Sequence, residues 1–257
     1  MNLLQQIVRE RLADVAAATV PLSELKAMAS GRLHHSLIEA IRTNAGISII
    51  AETKKASPSA DVIAPDYHPH RIASIYAANG ATGVSVLTEP HYFQGEAAHL
   101  QAVRAAVNLP VLRKDFIADP YQIAEAAAWG ADVVLLIVAA LTMDQLRRLY
   151  EISGEFGLEV LAEAHTAAEV EAALRLETAM IGVNSRDLKT FKTDLQVAID
   201  LAAMIPDDRI SIAESGIRNA ADIRTLSAVG YGGFLIGESL MRASDPGAVL
   251  RELIKEF

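Results

Sequence analysis

Short apolar runs, rich in β-branched residues, recur along the chain and predict strands. They cover residues 47–51, 83–87, 110–112, 133–138, 160–162, 180–183, 210–213 and 233–236. Between them lie alanine-rich stretches with the spacing of amphipathic helices, most clearly at 121–129, 143–156, 167–176 and 219–228. Eight predicted strands that alternate with helices are the pattern of parallel βαβ units.

Two folds use this alternation, a doubly wound open sheet and a closed (β/α)8 barrel. The count of eight strands favours the barrel. Polar residues at the ends of many different strands also favour the barrel, because a doubly wound open sheet places its binding residues at one crevice. The length of 257 residues is near the usual size of one barrel. We therefore predict an α/β protein with the TIM barrel fold, a single domain over residues 1–257.

Helical spacing also precedes the first strand, over residues 2–17 and 33–43. These helices are additions to the barrel, so residues 1–44 are predicted to form an N-terminal helical extension. Such a segment either covers the bottom of the barrel or folds over its top and walls the substrate site. The spacing leaves both arrangements open.

Composition and charge limit the classes of partner that the protein is expected to bind. Apolar residues make up 51% of the chain but aromatic residues only 5%, so alanine and branched aliphatic side chains must fill the core. The net charge of −9 argues against a nucleic-acid or anionic-membrane partner. The chain has no cysteine, which excludes disulfides and thiolate metal sites. No run approaches the roughly 20 apolar residues of a membrane span, and the N-terminus lacks a signal-peptide core. We expect a monomer in the cytoplasm.

The first predicted strand ends in an acid and a base, Glu52 and Lys54. Because side chains alternate along a strand, these two share the inner face while Thr53 points the other way. Burying both charges costs several kcal/mol per ion unless they are paired or used in a reaction. A structural ion pair and a catalytic pair both fit this spacing.

Polar residues also follow the later strands, and in a barrel all of these ends meet at one mouth. Those that we single out are Lys114, Glu163, Asn184, Arg186, Glu214, Ser215, Glu238 and Ser239. Any one of them alone is explained by solvation at a strand end. Two glutamates and two lysines in apolar sequence on one rim favour a catalytic set instead.

Gly216 and Gly237 stand where the last two strands pass into helical segments. Backbone N–H groups are exposed there, and helix dipoles favour an anion. Phosphate sites near strands seven and eight recur in barrels. Ser57 and Ser59, after the first strand, close this cradle from the neighbouring side. The alternative is that both glycines only make ordinary turns.

None of the seven histidines has a convincing metal-ligand context, so no metal site is predicted. We expect six of them to face solvent, namely His34, His35, His68, His70, His91 and His99. His165 lies just beyond Glu163 and is expected to orient a neighbouring group.

Seven short motifs follow one another between about residue 45 and residue 250. They are Glu52-Thr-Lys54 with Ser57-Pro-Ser59, Leu112-Arg-Lys-Asp-Phe116, Leu135-Leu-Ile-Val-Ala139, Leu161-Ala-Glu-Ala-His165, Asn184-Ser-Arg-Asp-Leu188, Glu214-Ser-Gly216 and Ile236-Gly-Glu-Ser-Leu-Met-Arg242. Their identity and order resemble the indole-3-glycerol phosphate synthase family. The resemblance implies an enzyme of tryptophan biosynthesis. Its reaction closes the indole ring of 1-(2-carboxyphenylamino)-1-deoxyribulose 5-phosphate with loss of CO2 and water, and it implies no cofactor and no metal.

Roles for the charged residues follow from that resemblance. Lys114 is the acid that protonates the substrate ketone as the ring attacks, and Lys54 holds the carboxyl group that is lost. The hydroxyl left by ring closure departs as water, which needs an acid and a base. Lys54, Glu163 and Glu52 are candidates for these two, and the choice between Lys54 and Glu163 stays open.

The resemblance also implies contacts to the rest of the substrate. Asn184 binds the sugar hydroxyls, Arg186 engages a carboxylate, and Ser215 supports the polar rim. The substrate ring is expected to lie against an apolar wall formed by Pro58, Leu87, Phe93, Phe116, Leu135 and Leu188. In the family, the N-terminal segment folds over the mouth.

Some positions depart from the family pattern without removing a catalytic group. They are Thr53, Ala60 with Asp61, Leu37, and the alanines Ala162 and Ala164 that flank Glu163. Two other functions compete. A phosphoribosylanthranilate isomerase needs one acid and one base, and would leave Lys54 and Lys114 unexplained together. A non-catalytic ligand-binding barrel predicts the loss of at least one charged residue of the rim, yet all are present.

Overall fold

Eight parallel strands close into a barrel in the computed structural model, which describes residues 2–58, 61–187, 192–255 and 257. We number the barrel strands β1 to β8: Ser48–Thr53, Gly83–Leu87, Val111–Lys114, Val133–Ile137, Glu159–Ala164, Met180–Asn184, Ile210–Glu214 and Gly233–Ile236. Each strand pairs with the next along the chain, and β8 pairs with β1. The predicted (β/α)8 barrel is confirmed, and the open sheet is excluded.

Helices cover the outside of this barrel and extend it at the N-terminus. In chain order, α1 to α12 are Leu3–Ala16, Leu22–Ala29, Leu37–Thr43, Pro69–Ala78, Ala97–Ala106, Pro120–Trp129, Met143–Glu155, Ala167–Ala173, Leu195–Ala202, Ala220–Ala228, Glu238–Met241 and Pro246–Ile254. Two short strands after β1, Ala56–Ser57 and Asp61–Val62, pair antiparallel. Among the described residues, no helix has the length and apolar character needed to cross a membrane.

Local sequence explains where these helices begin and end, as α6 shows. Asp119 caps its N-terminus by accepting from the Tyr121 backbone N–H, and Pro120 fills the first helical position. Gly130 ends the helix with φ of 94°, a left-handed conformation that glycine adopts without strain. The chain then enters β4.

Strand alternation separates an inner core from an outer one. Along β1, Ile50 points into the barrel, whereas Ile49 and Ala51 pack against the surrounding helices. Glu52 therefore points inward at the carboxyl end, where the strand runs two residues further than the predicted 47–51. The strands β3 and β5 also continue further, through Lys114 and Glu163. These charged side chains lie within strands because each has a partner in the mouth.

The extension contacts both ends of the barrel. Leu3, Leu4 and Ile7 of α1 line the cavity at the carboxyl ends of the strands, which we call the mouth. At the opposite end, the backbone N–H groups of Leu37 and Ile38 donate to Glu159, the first residue of β5, at 2.9 and 3.1 Å. The two arrangements left open by the sequence therefore both occur, in different helices.

Between these ends, α2 packs against α6 on the side of the barrel. The predicted helix over 33–43 begins only at Leu37, because Ser36 caps it by accepting from the Glu39 backbone N–H. His35 precedes this cap and places its backbone N–H 3.0 Å from Asp132, just before β4. That the whole chain is one domain, with residues 1–44 as an extension, stays a prediction.

Candidate active site

A cavity of about 660 Å³ opens at the mouth of the barrel. It is lined by the carboxyl ends of the strands, by the loops that follow them and by α1. All the predicted site residues that the structure describes reach it: Glu52, Lys54, Ser57, Pro58, Leu87, Phe93, Lys114, Phe116, Leu135, Glu163, Asn184, Arg186, Glu214, Ser215, Gly216, Gly237, Glu238 and Ser239. Leu188 and Ser59 lie outside the described residues.

Lys114 is the centre of the charged cluster. Its Nζ lies 2.6 Å from Glu163 Oε2 and 3.0 Å from Glu214 Oε2. With Glu52, these residues come from β1, β3, β5 and β7, so they form one layer contributed by alternate strands, as in other barrels. Here the layer contains three carboxyl groups and one ammonium group instead of aliphatic side chains. These charged groups must be paired with one another, because burial penalises every charge.

Lys54 supplies a second cation beside this layer. Its Nζ donates to Glu52 Oε1 at 2.6 Å, and its side chain is 12% exposed whereas that of Glu52 is 6% exposed. Lys54 thus has its own carboxylate and access to the cavity. The mouth therefore contains two lysines that bond different carboxylates.

Burial and neighbouring charges shift the pKa values of the cluster. Burial raises the pKa of Glu163, but the charges of Lys114 and His165 and the hydrogen bond to Lys114 together outweigh burial and lower that pKa to about 2. Burial raises the pKa of Glu214 to about 8, since the Glu163 carboxylate adds to it and Lys114 offsets only part. Burial lowers the pKa of Lys114, but Glu163 and Glu214 raise it well above its usual range. The two carboxyl groups therefore share a proton that lies mainly on Glu214.

Two glycines make room for the carboxylates. A side chain at Gly182 of β6 would collide with Glu214 Oε1, and one at Gly237 would collide with Glu52 Oε1. Gly237 was predicted as part of the phosphate cradle. It borders the cavity as predicted, and the Glu52 carboxylate occupies the space that a side chain at this position would need, so the predicted cradle adjoins the charged layer.

Strained backbone forms the other side of the predicted cradle. Ser215 has φ of 65° and Gly216 has φ of 80°, two successive residues in the left-handed region. A non-glycine residue adopts that region at a cost, and such strain clusters at ligand sites. A side chain at Gly216 would approach Thr193 Cγ2 to 2.7 Å. Ser239 donates from its hydroxyl to Ile217 O at 3.3 Å and links this loop to the start of α11.

Arginines surround the outer rim. Arg186 Nη2 lies 3.2 Å from Glu238 Oε2, and Arg242 Nε lies 3.1 Å from the other oxygen of the same carboxylate. Asn184 Oδ1 accepts from the Arg186 backbone N–H at 3.0 Å, which fixes the turn after β6. Glu238 therefore offsets cationic charge at the rim.

Apolar side chains form one wall of the cavity. Phe93 and Phe116 lie with ring centroids 6.1 Å apart, and Leu135 is buried beneath them. Leu4 and Ile7 of α1 belong to the same apolar cluster as Phe116 and Leu135. A flat hydrophobic ring can bind between this wall and the charged layer.

Behind the wall, Asp115 ties α1 to the strand that carries Lys114. Arg11 donates from Nε and Nη2 to the two oxygens of Asp115 at 3.0 and 2.9 Å. Arg113 and Thr88 also donate to Asp115 Oδ2, at 2.9 and 2.7 Å. Burial raises the pKa of Asp115, but Arg113 and Arg11 hold it at about 2. The carboxylate is therefore ionised throughout the neutral range.

Other cavity residues were not singled out from the sequence. They are Leu3, Leu4, Ile7, Asp115, Ile137, Thr193, Asp194, Leu195, Ile217, Arg218, Leu235, Ile236 and Arg242. The spacing of Leu3, Leu4 and Ile7 predicted a helix with one apolar face, but the sequence carries no signal for what that face covers. Arg242 closes the last motif but was given no role.

The expectation that six histidines face solvent is wrong for two of them. His35 and His99 are half-buried. His35 Nδ1 lies 3.9 Å from the buried Asp132, and the ring of His99 meets that of Tyr67 edge-on at 4.9 Å. Within the described residues, no group of three or more potential ligands is placed to hold a metal ion.

A closed barrel with lysine–glutamate pairs at the carboxyl ends of its strands defines a (β/α)8-barrel enzyme. The family model for indole-3-glycerol phosphate synthase matches residues 4–253. Relatives of that name from Aromatoleum aromaticum and Carboxydothermus hydrogenoformans are 46% and 45% identical, over 98% of this chain and 98% and 99% of their own lengths. The chain belongs to the indole-3-glycerol phosphate synthase family, whose members are carboxy-lyases of tryptophan biosynthesis.

More distant structures share the fold alone. Thiamine phosphate pyrophosphorylase from Pyrococcus furiosus aligns with a TM-score of 0.61 and 16% identity, over 80% of this chain and 93% of that chain.

Proposed function

We propose that this chain closes the indole ring of 1-(2-carboxyphenylamino)-1-deoxyribulose 5-phosphate and releases CO2 and water. The observation that carries the proposal is the pair of lysines, Lys54 and Lys114, each bonded to its own carboxylate in one cavity. Ring closure and dehydration each need a proton donor, so two independent donors match the two steps. An isomerase with one acid and one base would use only one of them.

Ring closure is assigned to Lys114. As the aromatic carbon attacks the ketone, the carbonyl oxygen gains negative charge and must receive a proton. Lys114 Nζ lies at the centre of the charged layer, and the Lys114 side chain is 13% exposed, so it reaches the cavity while its charge is held by Glu163 and Glu214. Loss of CO2 then restores an electron pair to the ring, with no protein proton needed.

Dehydration is assigned to Lys54 and Glu163. The hydroxyl formed in the first step leaves as water once it is protonated, and a proton must be removed from the substrate. Lys114 has already given up its proton at that stage, so the second ammonium group, Lys54, is the available acid. Loss of the proton from Lys114 removes the cation that holds the Glu163 carboxylate, so Glu163 becomes more basic at this stage and serves as the base. Glu52 orients Lys54 through their 2.6 Å bond.

The remaining predicted contacts bind and orient the substrate. Backbone N–H groups near Gly216 and Gly237, with Ser57 and Ser239, are proposed to hold the phosphate. Arg186 is proposed to bind the substrate carboxylate by leaving Glu238 for it, and Asn184 to bind the sugar hydroxyls. The ring is proposed to lie against Phe93, Phe116 and Leu135, with Pro58 and Leu87 around them. Ser215 and Glu214 complete the polar side.

The Lys114→Ala variant tests the assignment. We expect kcat to fall at least ~100-fold, the low end for general acid catalysis, with a much smaller change in KM. Product fluorescence in a steady-state assay measures both, and circular dichroism confirms folding. Lys255→Ala, which removes an exposed lysine, serves as the control and should match the parent. Near-parental turnover of Lys114→Ala would refute the role.

The monomeric state and the cytoplasmic location stay predictions. Light scattering on the purified protein tests the first, and cell fractionation tests the second.

A further inference from the structure

His165 is a buried titratable group for which the proposed mechanism has no use. It follows β5, its side chain is 11% exposed, and it lies outside the set of described residues that line the cavity. Its Nε2 lies 3.4 Å from Glu163 Oε1, while Lys114 bonds the other oxygen, Oε2, at 2.6 Å. Glu163 thus stands between two basic groups, one in the cavity and one behind it.

Glu169 fixes the orientation of this imidazole. Its Oε2 accepts from the His165 backbone N–H at 2.7 Å and lies 3.2 Å from His165 Nδ1. Glu169 lies in the first turn of α8. It therefore holds the His165 ring against the end of β5 from the helix side, outside the cavity. The chain Glu169–His165–Glu163 therefore runs from the partly exposed helix to the charged layer.

We infer that His165, oriented by Glu169, is a positioning residue for Lys114. An imidazolium behind Glu163 takes up part of that carboxylate's charge. Lys114 is then held less tightly and releases its proton more readily to the substrate ketone. Without the imidazolium, the full charge of Glu163 falls on the ammonium group, whose proton affinity rises. His165 itself touches no reacting atom.

The charges that face His165 favour its protonated form. They are Glu163 from β5, Glu169 from α8 and, further away, Glu214 from β7. Burial lowers the pKa of His165, but the bond to Glu169 and the charge of Glu163 outweigh it, so that pKa lies above its ordinary value. The imidazolium therefore persists to higher pH than that of an ordinary histidine, and it is lost as the pH rises through the raised pKa.

The test compares kcat of the full-length parent and His165→Asn from pH 6 to pH 9. At pH 6 we expect kcat to fall about 10-fold, the effect of one pKa unit on Lys114, with KM changed less than about twofold. The ratio between parent and variant should shrink toward 1 as the pH rises and the parental imidazolium loses its proton. A purely structural role gives a ratio that does not depend on pH, and that result would overturn the inference.

Two further variants keep the test decisive if His165→Asn does not fold. Glu169→Gln removes the charge that holds the imidazolium and should give a smaller loss with the same pH trend. Glu171→Gln makes the same charge change on the exposed face of α8 and should match the parent at every pH. If Glu169→Gln and Glu171→Gln behave alike, the inference fails.

The inference rests on the role proposed for Lys114, and the two can fail separately. Full turnover of Lys114→Ala sinks the proposed mechanism whatever His165 does. An inactive Lys114→Ala with a pH-independent loss in His165→Asn sinks only the role of His165.

Discussion

At the scale of single residues, the charged layer is balanced by one proton. Glu52, Glu163 and Glu214 face Lys54 and Lys114, so full ionisation would leave one excess negative charge in a buried site. The raised pKa of Glu214 removes that excess at neutral pH. A neutral Glu214 also keeps Lys114 from being held by two anions at once. The role proposed for Lys114 therefore depends on Glu214 staying protonated.

The Glu214→Gln variant should reveal this dependence in the pH profile of kcat. In the parent we expect kcat to fall above about pH 8, where Glu214 loses its proton and binds Lys114 more tightly. Glutamine keeps the size and a hydrogen bond but cannot ionise, so the step near pH 8 should disappear. Steady-state assays across pH measure it. An unchanged step would show that another group titrates there.

The two glycines of the predicted phosphate cradle should respond differently to alanine. Gly216→Ala adds a methyl group at φ of 80° beside Thr193, so we expect KM to rise far more than kcat falls. Inorganic phosphate should compete with substrate in the parent.

Gly237→Ala places its methyl group against Glu52, and so should lower kcat by displacing the partner of Lys54. The kinetic constants of both variants, measured side by side, check this difference. Equal effects on KM in the two would contradict it.

The sequence predicted which residues reach the mouth, because each of them is a polar residue at the end of an apolar run. It did not predict which carboxylate each lysine would choose. Lys114 pairs with Glu163 and Glu214, which lie 49 and 100 residues away, and such choices depend on the stagger of strands around the barrel. Glu214, for example, was singled out only as a polar residue at a strand end, with no sign that it would bond Lys114.

At the scale of elements, α1 is bonded to the residue that follows β3, the strand that carries Lys114. Arg11 donates to both carboxylate oxygens of Asp115, and Arg11 is only 6% exposed. Paired, bidentate contacts of this kind are among the stronger ones in proteins. The helix that roofs the cavity is therefore held next to the residue that follows Lys114.

Arg11→Met should loosen this roof without unfolding the barrel. Asp115 keeps its contacts with Arg113 and Thr88, so it is not left as an isolated buried charge. The loss of a hydrogen-bonded charge pair, roughly 1.5–3 kcal/mol, should lower kcat/KM by about 10-fold or more. Arg9→Met, on an exposed position of the same helix, is the matched control. Equal kcat/KM in the two variants would show that the fastening is not needed.

Helix α2 shows the limit of sequence patterns at this scale. Its eight residues, Leu22–Ala29, were not predicted because they carry too few turns for a clear period. Pro21 precedes it and no side chain caps it. Packing against α6 stabilises it, and a tertiary contact of that kind leaves no local signal.

At the scale of the whole molecule, the extension joins the two ends of the barrel. Removing residues 2–17 should leave a cooperatively folding barrel with severely reduced kcat/KM, because the roof is lost while α3 still seals the bottom. Removing residues 2–44 should also lower the melting temperature, because Leu37 and Ile41 leave the core. Thermal melts beside kinetics separate the two effects. A barrel that melts equally early in both truncations would assign the stability to α1 instead.

This arrangement sets an order of events during synthesis. The extension leaves the ribosome first, but its contacts need residues that are made much later. Arg11 bonds Asp115, which is 104 residues further along the chain, and Ser36 bonds Glu159, which is 123 residues further along. The first contact cannot form until β3 has emerged, and the second cannot form until β5 has emerged. The growing chain therefore holds its first two amphipathic faces uncovered while half of the barrel is still being made, and a chaperone that binds apolar helices would meet this protein at its beginning.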